Sequence, residues 1–433
     1  MKRLLIFLET AVAVILSLAA CKGRGDPEDP DRFGHVVILY SAGKNNLSGS
    51  LQRNIQDFKE GFVPYKGSDK ACIIVTHSSP SSRSFEENTT PYIIRMYRSR
   101  CSETVVMDTL KTLPEETMLT RASDMNSILS YIRDNFNSDS YGMVFSSHGT
   151  GWLPKGYYGN PSKYDGAIFR TAPVMASSPF RTQDRPVTYD AASIPEAPLV
   201  KSIGQEYTQE GSVITSYEMD MGEFASAIPF KMEYIIFDAC LMGGIEFAYE
   251  LKDKCHYIGF SPAEILTEGF DYNNMGSRLM EMAVPDPERV CQDFFNKYKD
   301  NQGSQCTAMV SLIDCDGLQD LGIVCKELIA NHKDGIASLN PKEVQQFSRN
   351  EYLWFFDLRD ILVKAGCSES ELSDLDNALD RCVLYKASTK RILNLFDIKT
   401  FCGLSMFIPR SGSNYLNEFY KTLAWNEATG LVN

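Results

Sequence analysis

The sequence is short of histidine, of closely spaced cysteines and of positive charge. It has only five histidines and no Cys-x-x-Cys pair or close Cys/His group, so a structural zinc site has no support. Acidic residues outnumber basic ones by 56 to 43, which gives a formal net charge of −13. Because phosphates attract Lys and Arg, this charge argues against nucleic acid as a partner. A dense Asp/Asn loop of the kind that binds Ca²⁺ is also missing, so no metal site is predicted.

Apolar residues are present in ordinary amounts. They make up 43% of the 433 residues, enough for one large domain with an addition, or for two domains. The 12 cysteines would permit disulfides in an exported protein. However, Cys325 lies in an apolar helix-like run and Cys402 opens an apolar strand-like run, where a free cysteine packs as a small hydrophobic residue. We therefore predict mostly reduced, buried cysteines.

The N-terminus has the features of an export signal. Basic residues precede an apolar stretch from Leu4 to Ala20 that is interrupted by Glu9. This stretch is short for a transmembrane helix, which needs about 20 apolar residues. It ends in Leu-Ala-Ala-Cys, which resembles the lipobox of bacterial lipoproteins. We predict a signal peptide over residues 1–20 and lipid attachment at Cys21.

The segment that follows is polar. Residues 21–34 are rich in Gly, Pro and charge, which is typical of a flexible tether. Cys21 is followed by Lys22 rather than by aspartate, which in many Gram-negative bacteria is compatible with the outer membrane. We therefore predict an exported lipoprotein on the outer membrane or cell surface of a Gram-negative bacterium, in contact with the membrane through its lipid.

Strand-like and helix-like segments alternate along the rest of the chain. The run from His35 to Tyr40 is continuously apolar, as expected for a strand buried on both faces of a parallel sheet. Apolar residues from Met125 to Phe136 recur on one helical face, with Ser123 as the predicted N-cap. Further strands are predicted at 72–76, 92–97, 104–107, 141–146, 234–240, 257–260 and 307–313, and helices at 219–227, 245–251, 287–299 and 318–329.

This order of elements predicts an α/β fold in which a mostly parallel sheet is covered by helices on both faces. We assign residues 35–335 to this domain. From about residue 336 to 433 the pattern becomes mainly helical, and we predict a smaller C-terminal domain there. Between residues 153 and 213 the sequence indicates no regular element.

Two predicted strands end on reactive side chains. His148 closes one and is followed by Gly149, and Cys240 closes another before a predicted helix. Ligands bind beyond the carboxyl ends of the strands in an open α/β sheet, so the two side chains can meet there. A helix N-terminus and a nearby imidazolium would both favour the thiolate of the cysteine. The imidazole can in turn protonate a leaving amine.

A structural role is the alternative for each of these residues. A cysteine in an apolar run is more often a packed core residue than a nucleophile. Among the other histidines, His35 and His256 open strands and His332 closes a helix, so none of them is placed at the right edge. His77 also ends a strand and is the competing base, but no glycine follows it.

The local sequences decide between these readings. The string from Phe145 to Trp152 and the string from Ile236 to Gly243 resemble the histidine and cysteine motifs of the clostripain-like cysteine peptidases, which belong to the clan of caspases, legumain, gingipains and separase. Further similarity lies at 202–205, 261–272 and 403–409, so the resemblance extends from about His35 to the C-terminus.

The resemblance implies a caspase-like fold and a catalytic dyad of Cys240 and His148. The backbone N–H groups of Gly149 and Cys240 would hold the oxyanion. Asp238 would lie beside the pocket for the P1 side chain and favour Arg or Lys there. A structural role for Asp238, as a strand-end residue that accepts backbone hydrogen bonds, is an equal alternative. Ser261 and Glu264 are weaker candidates for substrate contacts. Some relatives are linked to calcium, but the sequence gives this no support.

The predicted function is therefore hydrolysis of protein or peptide substrates by a lipid-anchored cysteine endopeptidase without a cofactor. One alternative is a surface lipoprotein that binds peptide or glycan on the same scaffold without turnover, since function resides in the site and not in the fold. Another is a thiol acyltransferase, in which an amine instead of water resolves the acyl-enzyme.

Overall fold

We describe a computed structural model of the chain. The structure describes residues 25–79, 89–159, 161, 164, 187–190 (backbone only), 203–210, 213–349, 353–409 and 414–433. Cys21, the signal peptide and Lys22 lie outside the described residues.

A nine-stranded sheet forms the centre of the molecule, in the order β13-β11-β10-β9-β5-β1-β2-β3-β4. Its strands are β1 (Phe33–Gly43), β2 (Lys70–Ser78), β3 (Tyr92–Arg98), β4 (Val105–Thr112), β5 (Ser138–Ser146), β9 (Met232–Asp238), β10 (Cys255–Phe260), β11 (Met309–Asp314) and β13 (Val383–Ser388). The five central strands, from β2 to β10, pair in parallel, and the strands on both sides pair antiparallel. The predicted strands are thus present, and the strand predicted at 104–107 corresponds to the start of the edge strand β4.

Smaller strands lie outside this sheet. A three-stranded sheet is formed by the strands β6 (Val187–Asp190), β7 (Ile203–Glu210) and β8 (Val213–Met219). The remaining strands are β12 (Phe356–Asp357) with β16 (Ser405–Met406), and β14 (Arg391–Ile392) with β15 (Phe396–Asp397). Strands β6, β7 and β8 were not predicted, because their polar residues break the apolar pattern that indicates a buried strand.

Helices cover both faces of the central sheet. They are α1 (Ser48–Glu60), α2 (Ala122–Asn135), α3 (Met221–Ala227), α4 (Ile245–Glu250), α5 (Tyr272–Gly276), α6 (Pro287–Lys299), α7 (Leu318–Asn331), α8 (Lys333–Ala337), α9 (Leu358–Ala365), α10 (Glu369–Cys382), α11 (Asn414–Tyr420) and α12 (Ala424–Thr429). A π-helical turn, Ser277–Glu281, follows α5.

The burial pattern explains the layering. In α2, Met125, Ile128, Leu129 and Ile132 are buried on one face, as predicted. Burial of side chains of this size contributes about 1.5–3 kcal/mol each. The predicted N-cap is wrong, because the helix begins at Ala122. Side chains of α2, α3, α4 and α7 join one core cluster, whereas those of α1, α5 and α6 join a second cluster on the opposite face.

The C-terminal part is mainly helical, as predicted, but it is not a separate domain. Its strand β13 pairs with β11 at the edge of the central sheet. Gly244 forms a β-bridge with Ser405, and side chains such as Trp425 belong to the same core cluster as Phe237. The larger core cluster therefore extends across the domain boundary predicted near residue 335.

The described part of the predicted tether contacts the sheet. The Asp26 carboxylate accepts a hydrogen bond from the Arg100 N–H at 2.7 Å. Asp29 forms an ion pair with Arg95, whose guanidinium is buried. Polar and charged side chains thus connect residues 26–29 of the predicted tether to the sheet, although this segment has no large apolar side chain. In the part of the chain that the structure describes, no helix is long and apolar enough to cross a membrane.

Seven of the described cysteines are free and buried: Cys72, Cys255, Cys291, Cys315, Cys325, Cys382 and Cys402. Cys325 and Cys402 are buried in the larger core cluster. Their packing as small hydrophobic side chains confirms the prediction of mostly reduced, buried cysteines for this part of the chain.

Candidate active site

The two reactive residues follow neighbouring strands. In the parallel pair β5–β9, Ser146 lies opposite Asp238, and these residues end their strands. His148 and Cys240 each come two residues later, at the same edge of the sheet. The strands thus end slightly earlier than predicted, but their parallel register brings the histidine and the cysteine to corresponding positions.

The glycine after the histidine allows the two segments to touch. A Cβ atom on Gly149 would lie 2.6 Å from the Cys240 carbonyl oxygen and 2.7 Å from the Met242 sulfur. Such distances are well below van der Waals contact, so a larger residue would push the segments apart. On the other side, the Gly204 N–H donates to the His148 carbonyl oxygen at 2.9 Å. The histidine is therefore held between β7 and the cysteine turn.

The chain turns sharply after Cys240. Leu241 has a φ of 60°, a left-handed conformation that costs a residue with a Cβ about 1–2 kcal/mol. Two hydrogen bonds to the loop after β10 maintain it, from Leu241 N–H to Ala263 O at 2.9 Å and from Gly243 N–H to Ser261 O at 3.0 Å. Helix α4 begins only at Ile245. Cys240 therefore does not directly precede the helix as predicted, because four residues separate the two.

His148 and Cys240 line one cavity of about 380 Å³. Its polar lining also includes Asn46, Asp238, Glu264 and Arg349. The cavity combines a thiol, an imidazole and three carboxyl groups, of Asp238, Glu264 and Glu268, so it can accommodate a polar or positively charged side chain next to the Cys240 thiol.

Burial holds Cys240 as a thiol. Loss of hydration raises its pKa to about 12, and the nearby Glu264 carboxylate adds to the effect. The Ile265 N–H donates a hydrogen bond to the sulfur at 3.4 Å, which opposes the shift. A base is therefore required to generate the thiolate.

His148 is uncharged and oriented. Burial lowers its pKa to about 4. Its Nε2 lies 2.6 Å from the amide oxygen of Asn46, an acceptor, so Nε2 carries the proton. The lone pair is then on Nδ1, and the neutral ring can accept a proton there.

Asn46 is the residue that the sequence analysis missed. It follows β1, whose last residue is Gly43 and which pairs in parallel with β5. The rule that sites form beyond the carboxyl ends of strands also applies to this strand end, and it was the available signal.

Asp238 is buried at the floor of the same region. The Tyr272 hydroxyl donates to its Oδ2 at 2.7 Å. Its Oδ1 is buried and accepts no hydrogen bond from another described residue. Desolvation raises its pKa to about 6, although the hydrogen bond from Tyr272 opposes this. An unsatisfied buried carboxylate oxygen is costly, so a donor that reaches it would bind favourably.

Comparison with known proteins agrees with the cysteine-peptidase motifs found in the sequence. A sequence model of peptidase C11, the clostripain family, matches residues 190–428, which is more than half of the chain. The chain belongs to the clostripain family. It is a cysteine peptidase of that family, as the sequence motifs predicted. The matched range includes Cys240 but not His148, which the parallel strands bring into the site.

Solved structures of clostripain-family proteins share the fold. An inactive zymogen C11 protease from Parabacteroides distasonis is 22% identical with a TM-score of 0.70, over 92% of this chain and 99% of that chain. A secreted C11 cysteine protease from Bacteroides thetaiotaomicron is 23% identical with a TM-score of 0.68, over 92% and 100%. A structure of such a protease with an irreversible peptide inhibitor gives 18% and 0.70, over 92% and 99%. No curated protein matches the chain. These likenesses confirm the predicted fold class.

Of the other two residues predicted to contact substrate in this clostripain-family site, Glu264 lines the cavity and Ser261 does not. Glu264 is buried and paired with Arg349, whose Nε lies 2.8 Å from the carboxylate. Ser261 is buried, its hydroxyl donates to Ala263 O at 2.9 Å, and it does not line the cavity. The structure thus makes Ser261 a turn residue and corrects its predicted place in the substrate site.

The competing histidines have structural partners. His77 Nδ1 lies 2.8 Å from Glu206, with both side chains fully buried. His35 Nε2 lies 3.1 Å from the Tyr234 hydroxyl near the start of β1. Neither histidine lines the cavity of Cys240, so His148 is the histidine positioned to act on it.

One group of described side chains has ligand atoms close enough together to share a metal ion. The group of three ionisable side chains close enough to share an ion is His332, Cys367 and Glu371. Nitrogen and sulfur donors suit softer metals, whereas Ca²⁺ takes six to eight oxygens. The donor atoms of this group therefore do not match a calcium site.

Proposed function

We propose that the protein is an endopeptidase in which Cys240 is the nucleophile and His148 the general base. One observation carries this assignment: the two side chains follow adjacent parallel strands and line the same cavity. The uncharged state of both groups, a buried imidazole and a partly buried thiol, supports proton transfer at the moment of attack rather than a preformed ion pair.

The proposed chemistry uses the ring nitrogen that Asn46 leaves free. His148 Nδ1 takes the thiol proton as the Cys240 sulfur bonds to the peptide carbonyl carbon. The imidazolium then gives this proton to the leaving amine, and the C–N bond breaks. Water, deprotonated by His148, cleaves the resulting thioester and restores the thiol. Asn46 would keep the ring in one tautomer throughout.

The oxyanion formed in the attack needs hydrogen-bond donors. The Gly149 and Cys240 N–H groups lie at the two touching segments of the site, and neither donates to an acceptor within the described residues. Backbone donors of this kind stabilise negative charge as it develops on the carbonyl oxygen. We assign them this role.

Asp238 is the proposed determinant of a preference for Arg or Lys at P1. It lines the cavity and has one carboxylate oxygen without a partner in the described chain. Glu264 also lines the cavity and has a buried oxygen, Oε2, without a partner in the described chain. It is the weaker candidate because the Arg349 guanidinium already compensates its charge. A charged P1 side chain that reaches Asp238 would form a charge-assisted hydrogen bond.

The preference for a basic P1 residue should depend on Asp238 and on pH. Asp238→Asn should lower kcat/KM for Arg substrates by about tenfold to a hundredfold and spare neutral ones. In the wild type, the ratio of kcat/KM for Arg over Leu at P1 should fall as pH drops through about 6, because the Asp238 carboxylate is then protonated. Titration of Cys240 and His148 cancels in this ratio.

A positional peptide library read by mass spectrometry measures both effects and tests the proposed function. Glu264→Gln is the matched control, and it should change the ratio less than Asp238→Asn. Cleavage after apolar or acidic P1 residues would contradict the proposed specificity alone. No cleavage of any library peptide would contradict the endopeptidase assignment and favour a binding role, and ligation of added amines would indicate acyl transfer.

Asn46 should control the basicity of His148. In Asn46→Asp, a carboxylate beside Nε2 stabilises the imidazolium, so the pKa of His148 rises by about 1–3 units. The base is then protonated at higher pH, and the acidic limb of the kcat/KM profile moves upward in pH. Asn46→Ala should reduce kcat without this upward shift. Wild-type profiles for both variants would exclude the positioning role.

We also propose that the enzyme is exported and attached to lipid at Cys21, which places it on the outer membrane or cell surface in contact with the membrane. Its partners would be peptide substrates and not nucleic acid. Catalysis would need no cofactor. The lipobox and the net charge of −13 support this. Metabolic labelling with a fatty-acid analogue should mark the wild type and not Cys21→Ala. Equal labelling of both proteins would contradict the assignment.

A further inference from the structure

Three side chains with metal-binding atoms meet far from the Cys240 cavity. They are His332 at the C-terminal end of α7, Cys367 in the turn between α9 and α10, and Glu371 in the first turn of α10. Their ligand atoms all lie within 4.8 Å of one another. His332 Nε2 is 2.9 Å from Glu371 Oε1. None of the three residues lines the catalytic cavity, so the proposed peptidase chemistry does not use them.

We propose that His332, Cys367 and Glu371 form a zinc site. One nitrogen, one sulfur and one carboxylate oxygen are ligands that Zn²⁺ accepts together, at about 2.0–2.3 Å from the ion. In a tetrahedral complex with these bond lengths, the ligand atoms lie about 3.3–3.8 Å apart. The observed cluster needs only small side-chain movements to reach this geometry. Water would supply the fourth ligand.

The backbone turn at Gly366 holds one of the ligands, Cys367, in place. Gly366 has a φ of 96°, a left-handed conformation that glycine adopts readily. It turns the chain so that the Cys367 N–H bonds back to Leu362 O at 3.1 Å. The position of the cysteine is therefore fixed by the end of α9.

The carboxylate is oriented by an N-terminal cap. Glu371 Oε2 accepts hydrogen bonds from the Ser368 N–H at 2.8 Å and from the Ser368 hydroxyl at 2.7 Å. This leaves Oε1 directed at His332. Outer partners that orient a ligand in this way are characteristic of metal sites and strengthen binding.

Solvent and ions can reach the cluster. His332, Cys367 and Glu371 are each partly exposed. Glu371 borders a cavity of about 590 Å³ whose lining also includes Arg381 and the carboxylates Glu327 and Asp374, so carboxylates outnumber the single guanidinium. These negative charges raise the local concentration of cations. An ion bound here would link the end of α7 to the α9–α10 turn, both of which pack on the core that α4 shares. The site would stabilise the fold without taking part in peptide cleavage.

Metal titration of the full-length Cys240→Ala protein, prepared free of metal, tests the proposal. Removing Cys240 prevents binding of metal to the catalytic thiol. Co²⁺ should bind with one equivalent and produce the ultraviolet charge-transfer absorption of a cobalt–thiolate bond. Zn²⁺ should displace it and raise Tm by several degrees at saturating excess, because the ion binds only the folded state.

Further variants in the Cys240→Ala background assign the ligands. Cys367→Ser should abolish the absorption, and His332→Ala should weaken Zn²⁺ binding by more than about 100-fold. Glu371→Gln should weaken binding while the N-terminal cap is kept, because Gln also fits this position. Cys306→Ser, at a half-exposed cysteine elsewhere, should change nothing. Absence of the absorption in the parent, or its persistence in Cys367→Ser, would overturn the proposal.

Discussion

Replacing Cys240 by alanine should lower kcat/KM by at least about 10⁴-fold and abolish labelling by an electrophilic thiol probe. His148→Ala should cost nearly as much, since the pKa of the partly buried thiol is raised to about 12 and the thiolate forms only when a base takes its proton. The double variant should be little worse than either single one, because two residues of one catalytic unit are not additive. Steady-state kinetics with a cleaved peptide measures all three.

Two control variants separate this loss from misfolding. Cys306→Ser changes a cysteine outside the cavity and should keep wild-type kinetics. His256→Ala changes a histidine in β10 that lies outside the cavity and should keep most of the activity. Turnover that survives in Cys240→Ala would eliminate the proposed nucleophile, and wild-type rates in His148→Ala would eliminate the base.

Gly149→Ala should reduce kcat/KM by about 100-fold or more although it removes no functional group. The new methyl group would lie 2.6 Å from the Cys240 carbonyl oxygen, so the histidine and cysteine segments must separate. A displacement of about 1 Å in a catalytic pair can cost a factor of about 100. The same change would move the Gly149 N–H away from the developing oxyanion.

The control for this substitution is Gly49→Ala in α1. Its nearest atom to an added Cβ is 3.8 Å away, on the flexible side chain of Arg53, so no displacement is needed. Alanine is favoured over glycine within a helix, and stability should rise slightly with no change in rate. Thermal unfolding of both variants monitors the fold. Full activity in Gly149→Ala would show that the close approach is not required.

The ionisation of the pair indicates how reactivity is restrained before substrate binds. The neutral imidazole and the protonated thiol are both consequences of burial, which penalises charge on either group. The Ile265 N–H, which donates to the sulfur, belongs to the same loop as Glu264 in the cavity lining. Binding of substrate in this cavity therefore acts on the environment of the thiol directly.

The sequence by itself determined the strands of the central sheet and the placement of a histidine and a cysteine at one of its edges. Continuous apolar runs are required wherever a strand is covered on both faces, so β1, β5 and β9 are visible without a structure. A histidine and a cysteine placed just after two such strands must lie at one edge if the strands are parallel. The local motifs then predicted the family to which the chain belongs.

Only the tertiary structure decided which partners these residues have. Asn46 and His148 are 102 positions apart, and Arg349 reaches Glu264 from a different part of the chain. The edge strand β13 likewise joins the sheet from the predicted C-terminal domain. Such pairings depend on the paths of the connecting loops, which local periodicity does not encode. The pKa shifts of Cys240 and His148 follow for the same reason, because desolvation is a property of everything packed around a group rather than of its neighbours in sequence.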